Sequence, residues 1–293
     1  MDVERRGATR SGFTRRAVLG SLSALLAPLP ALKAAETLRF GLTPVFLSDD
    51  LQLLADLKAY LETATGSPVE LVTRRTYQEI TALLVAGQLD AAWICGFPYV
   101  AFRDRLTLAA VPLWKGKPLY QSYLIAEVGR SVAGIGDLAG DLHAYSDPDS
   151  NSGFLVTQAL LAERGFDRGT FFRRAIFTYG HRNVVRAVAA GLAQSGSVDG
   201  YVLEVLTNVE PELTRRVEIV RRSEWLGFPP IAAPRALEGT DRLVRIREAF
   251  TTMASAELGR RVLATLQLDG FVMAADALFD PIAEKVALVG SHS

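Results

Sequence analysis

The chain has 293 residues, of which 49% are hydrophobic and 22% are charged, and its 32 basic side chains balance its 32 acidic ones. This composition is ordinary for a soluble globular protein, and the length allows one large hydrophobic core or two moderate ones. Without a basic excess, the chain lacks the electrostatic footprint of a nucleic-acid-binding protein.

The first 35 residues have the layout of a secretory signal peptide. A basic stretch ends in the pair Arg15 and Arg16, and an apolar run then continues to about Ala27. Small residues at 34–35 close the segment, and its apolar run is too short to span a membrane. The paired arginines resemble the twin-arginine signals that export folded chains, so we expect a cleaved signal and a periplasmic protein. The alternative is an amphipathic N-terminal helix.

After this segment, short apolar runs alternate with patterns of helical periodicity. Asp49 and Asp50 are predicted to open a helix, because apolar residues at helical spacing follow them, and Gly87 ends a second helical pattern. Such alternation predicts βαβ units and a parallel sheet. The predicted elements in this half are strands at 38–42, 69–72 and 91–95, a helix from residue 51, and a helix at 77–86.

The same alternation continues in the second half of the chain. The predicted elements there are strands at 120–127, 144–146, 174–178, 197–202 and 219–221, helices at 152–163 and 183–193, an extended segment at 229–234, and a helical tail from Leu243.

Two α/β blocks with a helical tail predict an α/β fold of two lobes with interleaved chain. We expect residues 36–121 and 232–293 to form the first lobe and residues 122–231 to form the second. The crossovers near 120–123 and 229–233 would then be the hinge. In such folds a ligand binds between the lobes, at the carboxyl ends of the strands.

A polar turn that runs directly into a predicted helix is the sharpest candidate for a binding site. The first N–H groups of a helix have no partner within it, and the helix dipole adds partial positive charge. Ser150 and Ser152 can contribute hydroxyl donors and Asn151 an amide donor, while Gly153 lets a ligand approach the backbone. The turn therefore fits an oxyanion cradle. An ordinary N-cap with a turn is the alternative.

The run Ser150-Asn151-Ser152-Gly153-Phe154 resembles the Ser-x-Ser-Gly-aromatic motif of periplasmic phosphonate- and phosphite-binding proteins, the PhnD-like family of type 2 solute-binding proteins. Further segments agree with that family in order and spacing, over about residues 38–285: 76–80, 87–93, 118–123, 180–191 and 198–201.

This resemblance implies the type 2 periplasmic binding fold, with two hinged lobes that close on a small anionic ligand. It also implies a partner, the permease of an ABC importer in the inner membrane. We expect a monomer that uses no cofactor.

The resemblance also implies site residues outside the polar turn. Tyr77, together with Tyr120 or Tyr123, would donate hydroxyls to the anion. A tyrosine supplies an O–H donor and an apolar wall, although each of these could instead be a core residue. Phe97 and Tyr99 follow the third predicted strand and are expected to face the cleft.

One position departs from the family pattern. Gly180 and His181 match it, but Arg182 stands where an acidic residue would pair with the amine of aminoalkyl ligands. A second acidic position is retained as Asp199. An arginine beside the cradle predicts a preference for more negative or bidentate ligand groups over an ammonium. Alternatively, Arg182 points outward from the solvated end of a helix.

Two other functions stay open at this point. The protein could be the ligand-sensing subunit of a membrane receptor or kinase, or an enzyme with Cys95 as its nucleophile. No histidine or lysine lies within ten residues of Cys95, and its run is apolar, so packing is its expected role. The three histidines do not have metal-ligand spacing, and the chain contains neither a phosphate-binding loop nor a Gly-x-Ser-x-Gly elbow. We therefore predict neither a metal site nor an enzyme.

Overall fold

A computed structural model of the chain describes residues 36–44 and 50–291, together with Gly7. The predicted signal peptide, apart from Gly7, lies outside the described residues. Within the compact unit Ala35–Ser293, the described residues form two large β-sheets and one small one. None of the helices described is both long enough and apolar enough to cross a bilayer.

Thirteen strands occur among the described residues. They are β1 (Leu38–Leu42), β2 (Val69–Thr73), β3 (Ala91–Trp93), β4 (Leu106–Leu113), β5 (Leu119–Tyr120), β6 (Ser122–Glu127), β7 (Leu142–Tyr145), β8 (Arg174–Phe177), β9 (Ser195–Asp199), β10 (Val217–Arg222), β11 (Leu226–Gly227), β12 (Ile231–Pro234) and β13 (Gly270–Val272).

The described part of the chain also contains ten α-helices. They are α1 (Leu51–Thr65), α2 (Tyr77–Val85), α3 (Gly96–Ala101), α4 (Val156–Glu163), α5 (His181–Ala189), α6 (Gly200–Val209), α7 (Pro211–Thr214), α8 (Asp241–Thr251), α9 (Glu257–Leu266) and α10 (Asp280–Ser291).

The first sheet has the strand order β13-β4-β12-β3-β1-β2. β1 runs parallel to β2 and β3, as the βαβ pattern predicts. β12 lies antiparallel between β3 and β4, and β13 pairs antiparallel with β4. The predicted parallel sheet is therefore observed only in part, because strands from late in the chain return to it in the opposite direction. β4, a nearly continuous apolar run, is absent from the predicted elements.

The second sheet has the order β10-β6-β9-β7-β8. β7 is parallel to β8 and β9, and β6 is antiparallel to β9 and β10. The predicted strand at 197–202 ends at Asp199, because the Asp199 carboxylate accepts the Val202 N–H at 3.2 Å and caps α6. β5 and β11 lie in the two chain segments that connect the large sheets, and they pair as an antiparallel ribbon.

Local capping sets the start of the helices that position the site. Asp50 Oδ1 accepts the Leu53 N–H at 3.0 Å and begins α1, as predicted. Thr76 and Glu79 form a reciprocal capping box, in which each side chain accepts the backbone N–H of the other. Tyr77 is therefore held at the first helical position of α2.

The C-terminal helix contacts elements associated with both large sheets. α10 packs against α3, which follows β3, and against α4, which follows β7. Lys285 on α10 pairs with Glu163 at the end of α4, with 3.8 Å between Nζ and Oε1. The tail predicted to belong to the first lobe is thus in contact with residues predicted for the second.

Candidate functional site

The helix after β7 begins with a widened turn. Residues Asn151–Leu155 form one π-helical turn before α4, and turns of this kind are frequent at functional sites. Ser150 is its N-cap: Ser150 Oγ accepts the Gly153 N–H at 3.0 Å, and the Ser150 carbonyl accepts the Leu155 N–H at 3.0 Å. A hydroxyl that accepts in this way still has its own proton to donate.

Three polar side-chain atoms near this turn are buried and have no hydrogen-bond partner among the described residues: Ser146 Oγ, Asn151 Oδ1 and Ser152 Oγ. The exposed fraction of these residues is 1% or less. A buried polar group without a partner costs about 1–3 kcal/mol. Three such atoms close together leave hydrogen-bonding capacity unused inside the protein.

Tyr120 supports the middle residue of the cradle. Asn151 Nδ2 donates to Tyr120 Oη at 2.8 Å, and both residues are fully buried. If the amide is turned by 180°, Tyr120 donates to Oδ1 and Nδ2 becomes a donor toward the unpartnered side. Burial raises the pKa of Tyr120 well above its ordinary value, so the phenol stays protonated. Both orientations therefore keep the Asn151–Tyr120 contact.

Gly153 is required by close packing. A Cβ added at this position would lie 2.7 Å from Ser146 Cβ, closer still to Ser146 Oγ, and 3.0 Å from His181 Cε1. The Ser146 N–H donates to the Gly153 carbonyl at 3.2 Å. The absence of a side chain at this position thus allows the turn, the end of β7 and the start of α5 to pack closely.

Tyr77 and His181 lie next to the turn. His181 Nδ1 accepts the Asp199 N–H at 3.1 Å, and His181 Nε2 lies 3.3 Å from Tyr77 Oη. Burial lowers the pKa of His181 to about 3, so the ring is neutral and carries its proton on Nε2. His181 therefore donates to Tyr77. The Tyr77 hydroxyl, whose pKa is raised by burial, keeps its own proton for a ligand.

Asp199 and Cys95 complete the polar cluster. Burial raises the pKa of the Asp199 carboxyl to about 7, while Oδ1 caps α6. Cys95 Sγ accepts the Asn151 N–H at 3.1 Å, and burial raises the pKa of this thiol to about 11. Cys95 is therefore a protonated thiol at neutral pH.

A cavity of about 70 Å³ adjoins Tyr77, Cys95, His181 and Asp199. The rest of its wall is largely apolar. It includes Leu42, Leu53, Leu54, Leu57, Trp93 and Phe228. The cluster thus has hydrogen-bond donors on one side and an apolar chamber on another.

Seven of the predicted site residues come together in this cluster: Tyr77, Tyr120, Ser150, Asn151, Ser152, His181 and Asp199. Two predicted tyrosines do not. The Tyr99 hydroxyl donates to Asp276, and its ring packs on Phe279 with centroids 4.9 Å apart. The Tyr123 hydroxyl donates to Glu204 Oε1 at 2.7 Å. Both hydroxyls already have acidic partners outside the cluster.

Arg182 also lies away from the cluster. Its Nε is 2.6 Å from Glu210 Oε1, and the described lining of the cavity does not include it. Its side chain is 30% exposed. This position matches the outward-pointing alternative, because the first turn of α5 directs Arg182 toward α6 and α7 while His181 faces inward.

Two residues of the site are absent from the sequence prediction. Ser146 contributes one of the unpartnered hydroxyls. Asp147 joins two segments, since Oδ2 accepts the Tyr77 N–H at 3.3 Å and Oδ1 accepts the Asp149 N–H at 2.8 Å. Their position directly after β7, in the same polar turn as Ser150, is the signal that could have identified them.

Comparison with known proteins gives consistent matches. A family model described as "ABC transporter, phosphonate, periplasmic substrate-binding protein" matches residues 40–279. The phosphate-import protein PhnD of Mycolicibacterium smegmatis is 29% identical over 236 residues, which are 76% of this chain and 73% of that protein.

Two solved structures are similar in fold. A binding protein component of an ABC phosphonate transporter from Pseudomonas aeruginosa has a TM-score of 0.79 and 21% identity, with 88% of each chain covered. PhnD1 from Prochlorococcus marinus, in complex with methylphosphonate, has a TM-score of 0.78 and 17% identity, with 87% of this chain and 98% of that chain covered. The expected fold, the two-lobed α/β architecture of type 2 periplasmic binding proteins, is thereby confirmed.

Proposed function

This chain belongs to the family of periplasmic substrate-binding proteins of phosphonate ABC transporters, and we propose that it captures a small phosphonate- or phosphite-like oxyanion for an inner-membrane permease. The observation that carries this proposal is the group of unpartnered polar atoms at Ser146, Asn151 and Ser152. Asn151 and Ser152 lie at the start of a helix, where backbone N–H groups and the helix dipole favour an anion, and Ser146 follows the end of β7.

We assign the ligand contacts as follows. The hydroxyls of Ser150 and Ser152 and the amide of Asn151 hold oxygens of the anion from the helix side. Tyr77 donates from the start of α2, oriented by His181. Tyr120 supports Asn151, and Asp199 lies beside the anion as a hydrogen-bonding carboxyl.

We also propose that the mature chain forms two lobes, one of residues 36–121 with 232–293 and one of residues 122–231. The strands of the second sheet fall in the second set, and those of the first sheet fall in the first set apart from Ile231, the first residue of β12. Contacts between the two sets, such as Tyr77 with His181 and Cys95 with Asn151, would separate to admit the ligand. The antiparallel pair β5 and β11 is the proposed hinge.

We further propose a cleaved twin-arginine signal at residues 1–35 and a monomeric, non-catalytic mature protein. A nucleophilic role for Cys95 would need a thiolate, whereas burial raises the pKa of this thiol. The buried thiol is instead a packing group and a weak acceptor for the Asn151 N–H.

Single replacements of the two serines test the cradle against the alternative of an ordinary N-cap. Ser152→Ala removes a hydroxyl that has no partner in the described structure, so affinity for phosphite or methylphosphonate should fall about 10- to 150-fold without loss of stability. Ser150→Ala should lower affinity and also cost about 1 kcal/mol of cap stability. Calorimetry and thermal denaturation measure both effects. Unchanged affinity in Ser152→Ala would refute the cradle.

A further inference from the structure

The cavity next to the polar cluster is larger than an ordered water requires. Its volume is about 70 Å³, whereas one buried water needs only about 10–15 Å³. Because a hydrogen-bonded head group would contact Tyr77 and the Ser150–Ser152 turn, the apolar chamber is left for another part of the ligand.

Polar groups in the chamber wall are already hydrogen-bonded within the protein. Thr43 Oγ1 donates to the Trp93 carbonyl at 3.1 Å, and Trp93 Nε1 donates to the Pro229 carbonyl at 2.9 Å. Tyr201 Oη donates to the Leu266 carbonyl at 2.6 Å. These groups therefore present mainly their carbon atoms to the cavity. Leu42, Leu53, Leu54, Leu57 and Phe228 extend the same apolar wall.

The chamber offers little to a charged substituent. No lysine or arginine among the residues that the structure describes lines it, so a carboxylate tail would find no cation. Among the described lining residues the one carboxyl group is that of Asp199, which caps α6 through Oδ1. Burial favours the protonated form of that carboxyl, which weakens its attraction for an ammonium tail.

From these contacts we propose that the ligand carries an apolar substituent on phosphorus, a short alkyl group that enters the chamber lined by Leu53, Leu54 and Leu57. This inference rests on the proposed function. It specifies the substrate class: alkylphosphonates are preferred over phosphite, aminoalkylphosphonates and carboxyalkylphosphonates.

Titration calorimetry of the purified protein with a graded series tests the inference. The series is phosphite, methylphosphonate, ethylphosphonate and propylphosphonate, compared with 2-aminoethylphosphonate and 2-carboxyethylphosphonate. Affinity should rise about fourfold for each added methylene until the chamber is filled. Propylphosphonate and 2-aminoethylphosphonate have the same number of heavy atoms, and the amine should bind at least about tenfold more weakly.

A pair of matched variants on α1 tests whether the gain in affinity per methylene arises in the chamber. Leu54 lines the cavity, whereas Leu51 on the same helix is 81% exposed and is not part of the described lining. Leu54→Gln should flatten the gain in affinity per methylene, because it places a polar amide in the tail chamber. Leu51→Gln should leave both the gain per methylene and the phosphite affinity unchanged.

The outcomes separate this inference from the proposed function. If phosphite binds as tightly as the alkylphosphonates, or the aminoalkyl compound binds best, the apolar-tail inference is wrong and the proposed function stands. If no member of the series binds, the proposed function fails and this inference fails with it. The wild-type series is decisive even if Leu54→Gln does not fold.

Discussion

Tyr77 Oη lies 3.3 Å from His181 Nε2, so the first residue of α2 meets the first residue of α5. The Asp199 N–H donates to His181 Nδ1, so the neutral ring carries its proton on Nε2 and donates from there. This arrangement fixes the Tyr77 oxygen as an acceptor toward His181 and directs its own proton elsewhere. Tyr77 is thus a pre-oriented donor.

Tyr77→Phe should lower affinity for the anion about 10- to 150-fold, the expected loss of one hydrogen bond to a charged group. Tyr123→Phe is the matched control, because its hydroxyl binds Glu204 outside the cluster. It should leave affinity unchanged. Calorimetry with methylphosphonate measures the affinity of both variants. Equal losses of affinity in the two would show that the Tyr77 hydroxyl does not bind the ligand.

Gly153→Ala should abolish binding and destabilise the fold by about 1–3 kcal/mol, because the new Cβ would lie 2.7 Å from Ser146 Cβ. Gly136→Ala is the control, since nothing in the described part of the chain lies within 4 Å of a Cβ at that position. Denaturant unfolding and calorimetry compare the two. Normal binding by Gly153→Ala would show that the turn tolerates displacement.

Asp199 should make stability depend on pH. Burial raises its pKa from 3.8 to about 7, so the folded state holds this proton more tightly than the unfolded state does. The contribution of Asp199 to stability is therefore present below pH 4 and falls by up to about 1.4 kcal/mol per pH unit as the pH rises toward 7. His143 and His181, whose pKa is lowered to about 3 by burial, act in the opposite direction.

The difference between wild type and Asp199→Asn isolates this group, because the amide retains capping ability without titrating. The variant should gain stability relative to wild type as the pH rises from 5 to 7.5. Urea unfolding at both pH values measures the gain, with the exposed Asp104→Asn as control. A difference independent of pH would mean that Asp199 does not titrate in this range.

Arg182→Glu should not change ligand preference, contrary to the expectation that Arg182 lies beside the cradle. Its ion pair with Glu210 places it away from the cavity, so only a loss of about 1 kcal/mol or less in stability is expected. The ratio of affinities for ethylphosphonate and 2-aminoethylphosphonate measures preference. A shift toward the amine in Arg182→Glu would place this side chain in the ligand site.

The sequence by itself determined the features that depend on neighbours a few residues away. The Asp50 cap, the helix from Tyr77 and the Ser150 cap are each decided by contacts within three or four positions. Local patterning also predicted the alternation of strands and helices. It did not predict the antiparallel return of β12, because strand direction depends on where a distant segment enters the sheet.

Only the tertiary structure decided which polar side chains share the site. Tyr77 meets a histidine 104 positions away, whereas Tyr99 meets an aspartate 177 positions away and Tyr123 a glutamate 81 positions away. In sequence these tyrosines look equivalent, since each lies near a boundary of a strand or a helix. Their roles differ because packing of distant segments sets the direction of each hydroxyl, and local periodicity carries no information about that direction.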